Sequence, residues 1–324
     1  MNVEQAIQLV AEEMKAVEAE MAKNLLSEIA MIPTVSRHLI ASGGKRFRPL
    51  LLLLSAHLCG YQGPRAAPLA STIEFIHTAT LLHDDVVDRA YVRRGMASAN
   101  SLWGNGASVL VGDFLFTKSF SLIVQDGNLR ILEVISRGTN RMAEGEVMQL
   151  VKKGDPATTE KDYYHIVTNK TAVLISAACQ IGGILGAVSP DQEKAMADFG
   201  LNLGIAFQLV DDTLDYTSAR ETLGKEIGQD INEGKITLPL IQTMRVCSPE
   251  EKEHLGRIIR DGDRAEGDLD YVLKAVKEWG GIEYTFQAAE NFVAEAKNSL
   301  SLFPISREKE ALLALADYGI RRKW

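Results

Sequence analysis

Apolar residues recur at helical spacing along most of the chain. Around LLHDDVVD at residues 81–88, Ile73, Ile76, Ala79, Thr80 and Val87 fall three, four or seven apart, while the strict alternation that marks strands is scarce. Proline is absent from 69–155, 157–189 and 191–238, which permits long helices. Pro49 suits the first position of a helix running through Leu50–Leu54, and Gly60 suits its end. Gly95, Gly154, Ser189-Pro190 and Gly280-Gly281 punctuate the chain in the same way. The pattern predicts an all-α protein. With no linker composition and no abrupt shift in composition, it predicts a single domain over 1–324.

Two of the expected helices carry the same acidic pattern. Asp84, Asp85 and Asp88 stand in LLHDDVVD, and Asp211, Asp212 and Asp215 in FQLVDDTLDY. Alignment of the motifs superposes Ala79 on Ala206 and Leu82 on Leu209, but the echo fades beyond about two turns, so it is no repeat array. Residues four apart share a helix face, and carboxylates gathered in apolar surroundings repel one another and lose hydration. The pattern therefore predicts bound cations. Hard oxygen donors of this kind suit Mg²⁺ shared with water and substrate phosphates.

A formal charge of −8 over 324 residues argues against a nucleic-acid binder, but the basic residues form islands. Lys45, Arg46 and Arg48 follow Gly43-Gly44 on an expected loop entering a helix, where guanidinium forks and backbone N–H groups meet phosphate oxygens. Arg93 and Arg94 follow the first acidic motif, and Lys225 and Lys235 the second; Arg321, Arg322 and Lys323 lie near the C-terminus. Such islands suit small anions. Cys59, Cys179 and Cys247 lack the spacing of a metal site or a disulfide framework, which fits a reducing cytoplasm. The acidic, amphipathic N-terminus is unlike a signal peptide, and the longest apolar cluster, Leu50–Leu54, falls well short of the ~20 residues of a bilayer span. No integral membrane protein is expected.

GGKRFRP at 43–49, EFIHTATLLHDDVVD at 74–88, RRG at 93–95, Lys170-Thr171, GIAFQLVDDTLDY at 204–216 and GKEIGQDINEGKITLPL at 224–240 together resemble the trans-isoprenyl diphosphate synthases. The likeness is greatest to the bacterial long-chain, octaprenyl-type enzymes that make quinone side chains. It implies the isoprenoid synthase fold, a helical bundle around a deep central cavity, and a cytoplasmic homodimer. It also implies a reaction: isopentenyl diphosphate is joined head-to-tail to an allylic diphosphate, with transient membrane contact as the lipid product leaves.

By that resemblance Asp84, Asp88, Asp211 and Asp215, with Asp85 and Asp212, hold Mg²⁺, about three ions in the substrate complex. Arg93, Lys170, Lys225 and Lys235 hold the allylic diphosphate, and Lys45, Arg48, His77 and Arg94 hold isopentenyl diphosphate. Lys170, Thr171 and Gln208 flank the carbocation, which forms as the allylic C–O bond breaks and diphosphate takes the charge. His83 reads as structural. Arg89 and Asn169 depart from the pattern of many relatives.

The pocket for the growing chain is expected to run down the helix from Asp84, past Thr80, Ala79 and Ile76. No aromatic residue blocks that face, which implies a product of about C30–C50, C40 in the first instance, with a deeper floor from the stretch around Phe116–Val124 and Phe120. Two alternatives stand beside this reading. A terpene cyclase shares the first motif but not the Lys45/Arg48 clamp, and a non-catalytic subunit of a heteromeric synthase would be expected to have lost aspartates or basic residues that are all present here.

Overall fold

The computed structural model describes residues 1–41, 46–93, 95–217, 227–260 and 265–321; Lys45, Arg94, Lys225, Arg322 and Lys323 lie outside these, as does the side chain of Arg321. The order is α1 (Val3–Gln8), α2 (Ala11–Asn24), α3 (Met31–Ala41), α4 (Phe47–Leu58), α5 (Ala66–Val87), a hairpin of β1 (Val92–Arg93) and β2 (Met96–Ala97), and α6 (Ala99–Asp126). There follow α7 (Leu129–Lys152), α8 (Glu160–Val167), a π turn (Thr168–Ala172), α9 (Val173–Leu185) and α10 (Pro190–Thr217). The chain continues through α11 (Gln229–Asn232), α12 (Leu238–Val246), α13 (Pro249–Arg260), α14 (Asp268–Glu278), α15 (Gly281–Ser299) and α16 (Arg307–Arg321). Among the described residues the strands are those of the hairpin, Val92 opposite Ala97 and Arg93 opposite Met96. The all-α expectation holds.

Two compact units emerge, one of 1–138, 174–200 and 299–315, the other of 139–173, 201–298 and 316–324. In the first, α5 packs against α2, α4 and α6, and α3 against α6 and α5. Leu50–Leu54 are all at most 1% exposed, so α4 is enclosed on every side, which is why five successive leucines suit it. Each such side chain contributes about 2 kcal/mol by leaving water. α9 approaches α4 through glycine: a Cβ on Gly182 would lie 2.5 Å from Ser55 Cβ, and one on Gly186 2.2 Å from the Cys59 carbonyl oxygen. In the second unit, one core gathers Tyr163, Val167, Leu209, Val210, Leu238 and Ala289, and another gathers Leu240, Met244, Leu255, Ile258 and Val272.

The punctuation falls where the sequence put it, with one shift. α4 starts at Phe47, so Pro49 is its third residue rather than its first. The first-turn N–H groups have no helical acceptor, so proline costs nothing there. Gly60, Gly95, Gly154 and Gly280 all take positive φ, 70–82°. Ser189 starts α10 with a capping box, its N–H and hydroxyl meeting Gln192 Oε1 while the Gln192 N–H returns to Ser189 Oγ at 3.3 Å.

The longest apolar element is α6 rather than the leucine run: among the described residues it is the helix long and apolar enough to cross a bilayer. Its sequence hid this because Asp113, Lys118 and Gly104 interrupt the apolar run, Gly104 with a non-helical φ of 82°. One face packs on α5 and α3, while Leu102, Leu110 and Val124 are exposed.

Candidate active site

The two acidic motifs are built alike. On α5, Ala79, Leu82 and Asp85 are all fully buried; on α10, Ala206 and Leu209 are fully buried and Asp212 is 4% exposed. Steps of three residues keep the middle aspartate on the stripe that faces the core, and the outer pair, Asp84 with Asp88 and Asp211 with Asp215, is left partly exposed. Each middle carboxylate is compensated within its own unit. Asp85 Oδ1 accepts from Arg93 Nη2 at 2.7 Å and Nε at 2.8 Å, while its buried Oδ2 has no hydrogen-bond partner among the described residues. Arg93, expected on the allylic diphosphate, thus lies on the middle aspartate of its own motif. The hairpin places it there, and Ser98 Oγ, donating to the Ala90 carbonyl at 2.7 Å, closes the hairpin base.

Asp212 is served differently. Tyr163 donates its hydroxyl to Oδ2 at 2.5 Å, and Gln208 Nε2 donates to Oδ1 at 2.7 Å. Burial, and next the neighbouring Asp230, push the Asp212 carboxyl well above the usual carboxylate range, against the lowering effect of Tyr163 and Gln208. With its amide so oriented, Gln208 presents Oε1 to the Thr171 hydroxyl at 3.1 Å. Asp215 accepts one backbone N–H on each oxygen, from Gln229 at 3.2 Å and Asp230 at 3.0 Å, and so pins the start of α11.

Lys170 and Thr171 sit in the π turn that breaks the register between α8 and α9; such single turns recur at functional sites. Asn169, 3% exposed, holds the turn by accepting from Arg141 Nε at 2.8 Å and meeting His165 Nε2 at 2.9 Å. Gly145 permits the close approach of α7, since a Cβ there would lie 2.7 Å from the Lys170 backbone nitrogen. Lys170, Thr171, Gln208, Asp212, Asp230 and Lys235 line a common cavity in this unit, with Tyr163 in its wall.

On the first unit, Arg48 lies in the first turn of α4 and His77 on α5, both partly buried. Arg46, at the start of α4, takes a left-handed conformation (φ 46°) and donates to Glu18 at 2.8 Å, Glu74 at 3.1 Å and the Ile40 carbonyl at 2.9 Å. His83 has the structural place expected of it, against Gly112, Asp113 and the Val109 carbonyl. Ile76 and Ala79 are fully buried, Thr80 partly so with its hydroxyl on the His77 carbonyl at 2.8 Å, and Phe116 and Phe120 lie with ring centroids 5.4 Å apart on α6. Sequence reasoning passed over Tyr163, Glu146, Gln149, Glu233 and the role of Arg46. The available signals were Glu146 and Gln149 three apart on one helix face, and Tyr163 two turns before Lys170.

The polyprenyl synthetase family model matches residues 29–276. The chain belongs to that family. It is a prenyltransferase, and its family depends on divalent metal. It is 44% identical to octaprenyl diphosphate synthase of Escherichia coli (strain K12) over 99% of both chains, and 40% identical to the geranyl-diphosphate-specific all-trans-nonaprenyl-diphosphate synthase of Rhodobacter capsulatus over 97% of this chain and 96% of that one. Among solved structures, the polyprenyl synthase of Caulobacter crescentus CB15, crystallised with calcium and isoprenyl diphosphate, superposes with a TM-score of 0.95 at 41% identity, over 99% of this chain and 98% of that one. The fold is therefore the isoprenoid synthase fold.

Proposed function

We propose that this polyprenyl synthetase extends an allylic diphosphate with isopentenyl diphosphate to a long-chain all-trans product, octaprenyl (C40) in the first instance, for a quinone side chain. The observation that carries the length is Ala79: fully buried, five residues before Asp84, with Ile76 a turn further on and no Phe, Tyr or Trp between them. Full-length similarity to octaprenyl and nonaprenyl synthases supports the same range.

The donor set fits Mg²⁺. Each motif offers two partly exposed carboxylates, and among the described residues no three His, Cys, Asp or Glu side chains form a ready-made cage. That suits an ion that completes its shell with water and phosphate oxygens. Bound at Asp84, Asp88, Asp211 and Asp215, Mg²⁺ would stabilise the charge that gathers on the leaving diphosphate. Lys170 and Lys235, with Lys225 and Arg93, hold the allylic diphosphate. Lys45, Arg48, His77 and Arg94 orient isopentenyl diphosphate so that its double bond meets the cationic carbon. The Thr171 hydroxyl and the Gln208 amide oxygen supply dipoles to that carbon without attacking it. Asp85 and Asp212 serve the motif from beneath, through Arg93 and Gln208.

The exposed Leu102, Leu110 and Val124 on α6 support a homodimer, and the same reading places the enzyme in the cytoplasm, with transient membrane contact as the product leaves. Neither a terpene cyclase nor a non-catalytic subunit finds support in these relatives. The test is to incubate the protein with labelled isopentenyl diphosphate, Mg²⁺ and several allylic primers and to size the dephosphorylated products. Octaprenol is expected; products no longer than C20, or none from any primer, would refute the assignment.

A further inference from the structure

Two of the cations assigned to the allylic diphosphate already carry carboxylate partners. Lys170 Nζ lies 2.5 Å from Glu146 Oε2 and 2.6 Å from Gln149 Oε1, and Lys235 Nζ lies 2.6 Å from Glu233 Oε2. Neither pair is an open surface contact: the side chains are 21% and 26% exposed in the first and 17% and 14% in the second. Both lysines, with Gln149, line the cavity that Thr171, Gln208 and Asp212 also line, and the two glutamates reach them from behind its wall. Glu146 comes from α7, held close to the π turn by Gly145, and Glu233 follows α11, whose start Asp215 fixes. Both carboxylates thus occupy hydrogen-bonding positions on the lysines that phosphate oxygens need.

A half-buried ammonium without a counter-ion is costly, and a half-buried ammonium offered to diphosphate without competition binds it tightly. An enzyme that adds unit after unit releases one inorganic diphosphate at each addition, so tight retention would stall it. Resting on the assignment of Lys170 and Lys235 to the allylic diphosphate, we propose that Glu146 and Glu233 are exchange counter-ions. The incoming diphosphate displaces them from the lysines, and they reclaim the lysines as inorganic diphosphate leaves, which sets the affinity for that by-product and the pace of elongation.

The test uses the full-length protein with Mg²⁺ and inorganic diphosphate as probe, read by titration calorimetry and by inhibition of elongation. Glu146→Gln keeps the shape and the acceptor oxygen but removes the charge that repels phosphate. It should bind diphosphate about tenfold more tightly, and elongation should be inhibited at correspondingly lower diphosphate. Glu146→Asp, which keeps the charge, should stay within about twofold of the wild type, and Glu233→Gln should tighten binding independently, by about threefold. A merely structural ion pair would leave affinity unchanged or weaken it, and that result in both glutamine variants overturns the proposal. Lys170→Met separates this failure from failure of the underlying assignment. If it weakens diphosphate binding while Glu146→Gln and Glu233→Gln tighten nothing, the counter-ion role alone falls; if it leaves binding intact, Lys170 does not hold the diphosphate and both readings fall.

Discussion

Tyr163→Phe isolates the support beneath the second acidic motif, because it keeps a buried ring and deletes one hydroxyl. That hydroxyl lies 2.5 Å from Asp212 Oδ2, and the two residues are 3% and 4% exposed, so the bond is made away from bulk solvent. Deleting one partner of a buried hydrogen bond costs about 1–3 kcal/mol, and the variant should lose about 2 kcal/mol of stability. The pH dependence follows from the direction of the Asp212 shift. Burial, then Asp230, raise its folded-state value well above that of the unfolded chain, while the bond from Tyr163 lowers it. A carboxyl raised on folding contributes its full stability below the unfolded value, ~3.9, and loses that contribution as pH rises through the folded value. Tyr163 limits the loss by favouring the ionised form. Its removal should therefore cost more at high pH, for example 8.5, than at low pH, for example 5.5. Guanidinium unfolding of both proteins in EDTA at the two pH values measures this, the chelator removing any metal titration at Asp211. A gap that is constant or narrower at high pH would refute the argument, as would a penalty below about 0.5 kcal/mol at both values.

Ala79→Tyr should fill the first turn below Asp84 and shorten the main product to about C15–C20 with condensation intact, because a bulky side chain inserted into a packed site admits less chain; unchanged length by mass analysis removes Ala79 from the pocket. Asp84→Ala and Asp211→Ala should each reduce turnover by about a thousandfold or more with the helical circular dichroism spectrum preserved, since the charge on the leaving diphosphate goes unanswered; turnover that persists in EDTA argues against metal. Arg46→Met should raise the KM for isopentenyl diphosphate about tenfold while leaving that for the allylic primer near wild type, because the bridge to Glu18, Glu74 and the Ile40 carbonyl fixes the start of the helix that carries Arg48. An equal rise in both KM values would mark a general loss of structure instead.

The fold was legible because the chain is locally consistent: proline-free stretches, helical spacing and glycine punctuation all pointed to the same helices. The two-residue hairpin was not. Its four strand positions, Val92, Arg93, Met96 and Ala97, carry no alternation long enough to register, and the hairpin is defined by one turn and by Arg93 reaching back to Asp85. The aspartates and basic residues were legible as types, but not the partners that hold them. Tyr163 and Glu146 act across gaps of 49 and 24 residues, on Asp212 and Lys170, and such pairings arise from packing rather than from local spacing. Lys45, Arg94 and Lys225 belong to the same sequence reading and lie outside the described residues.

Identical motifs do not make identical sites. Both place their middle aspartate three residues after a buried leucine, so both must compensate a carboxylate that faces the core. Asp85 does so with the full charge of Arg93, and the first motif is thereby relieved of one of its three negative charges. Asp212 receives neutral donors, a phenol and an amide, and burial with Asp230 close by holds its carboxyl well above the usual carboxylate range. Excess negative charge held in a low dielectric is relieved either by a proton or by a cation. Asp212 therefore stands to gain more from a nearby divalent ion than Asp85, whose charge Arg93 already answers. Removing metal should restore the greater repulsion around Asp212, so of the two motifs the second should show the larger metal-dependent protection from amide exchange. Equal protection of α5 and α10 would mean that Arg93 gives the first motif no relief.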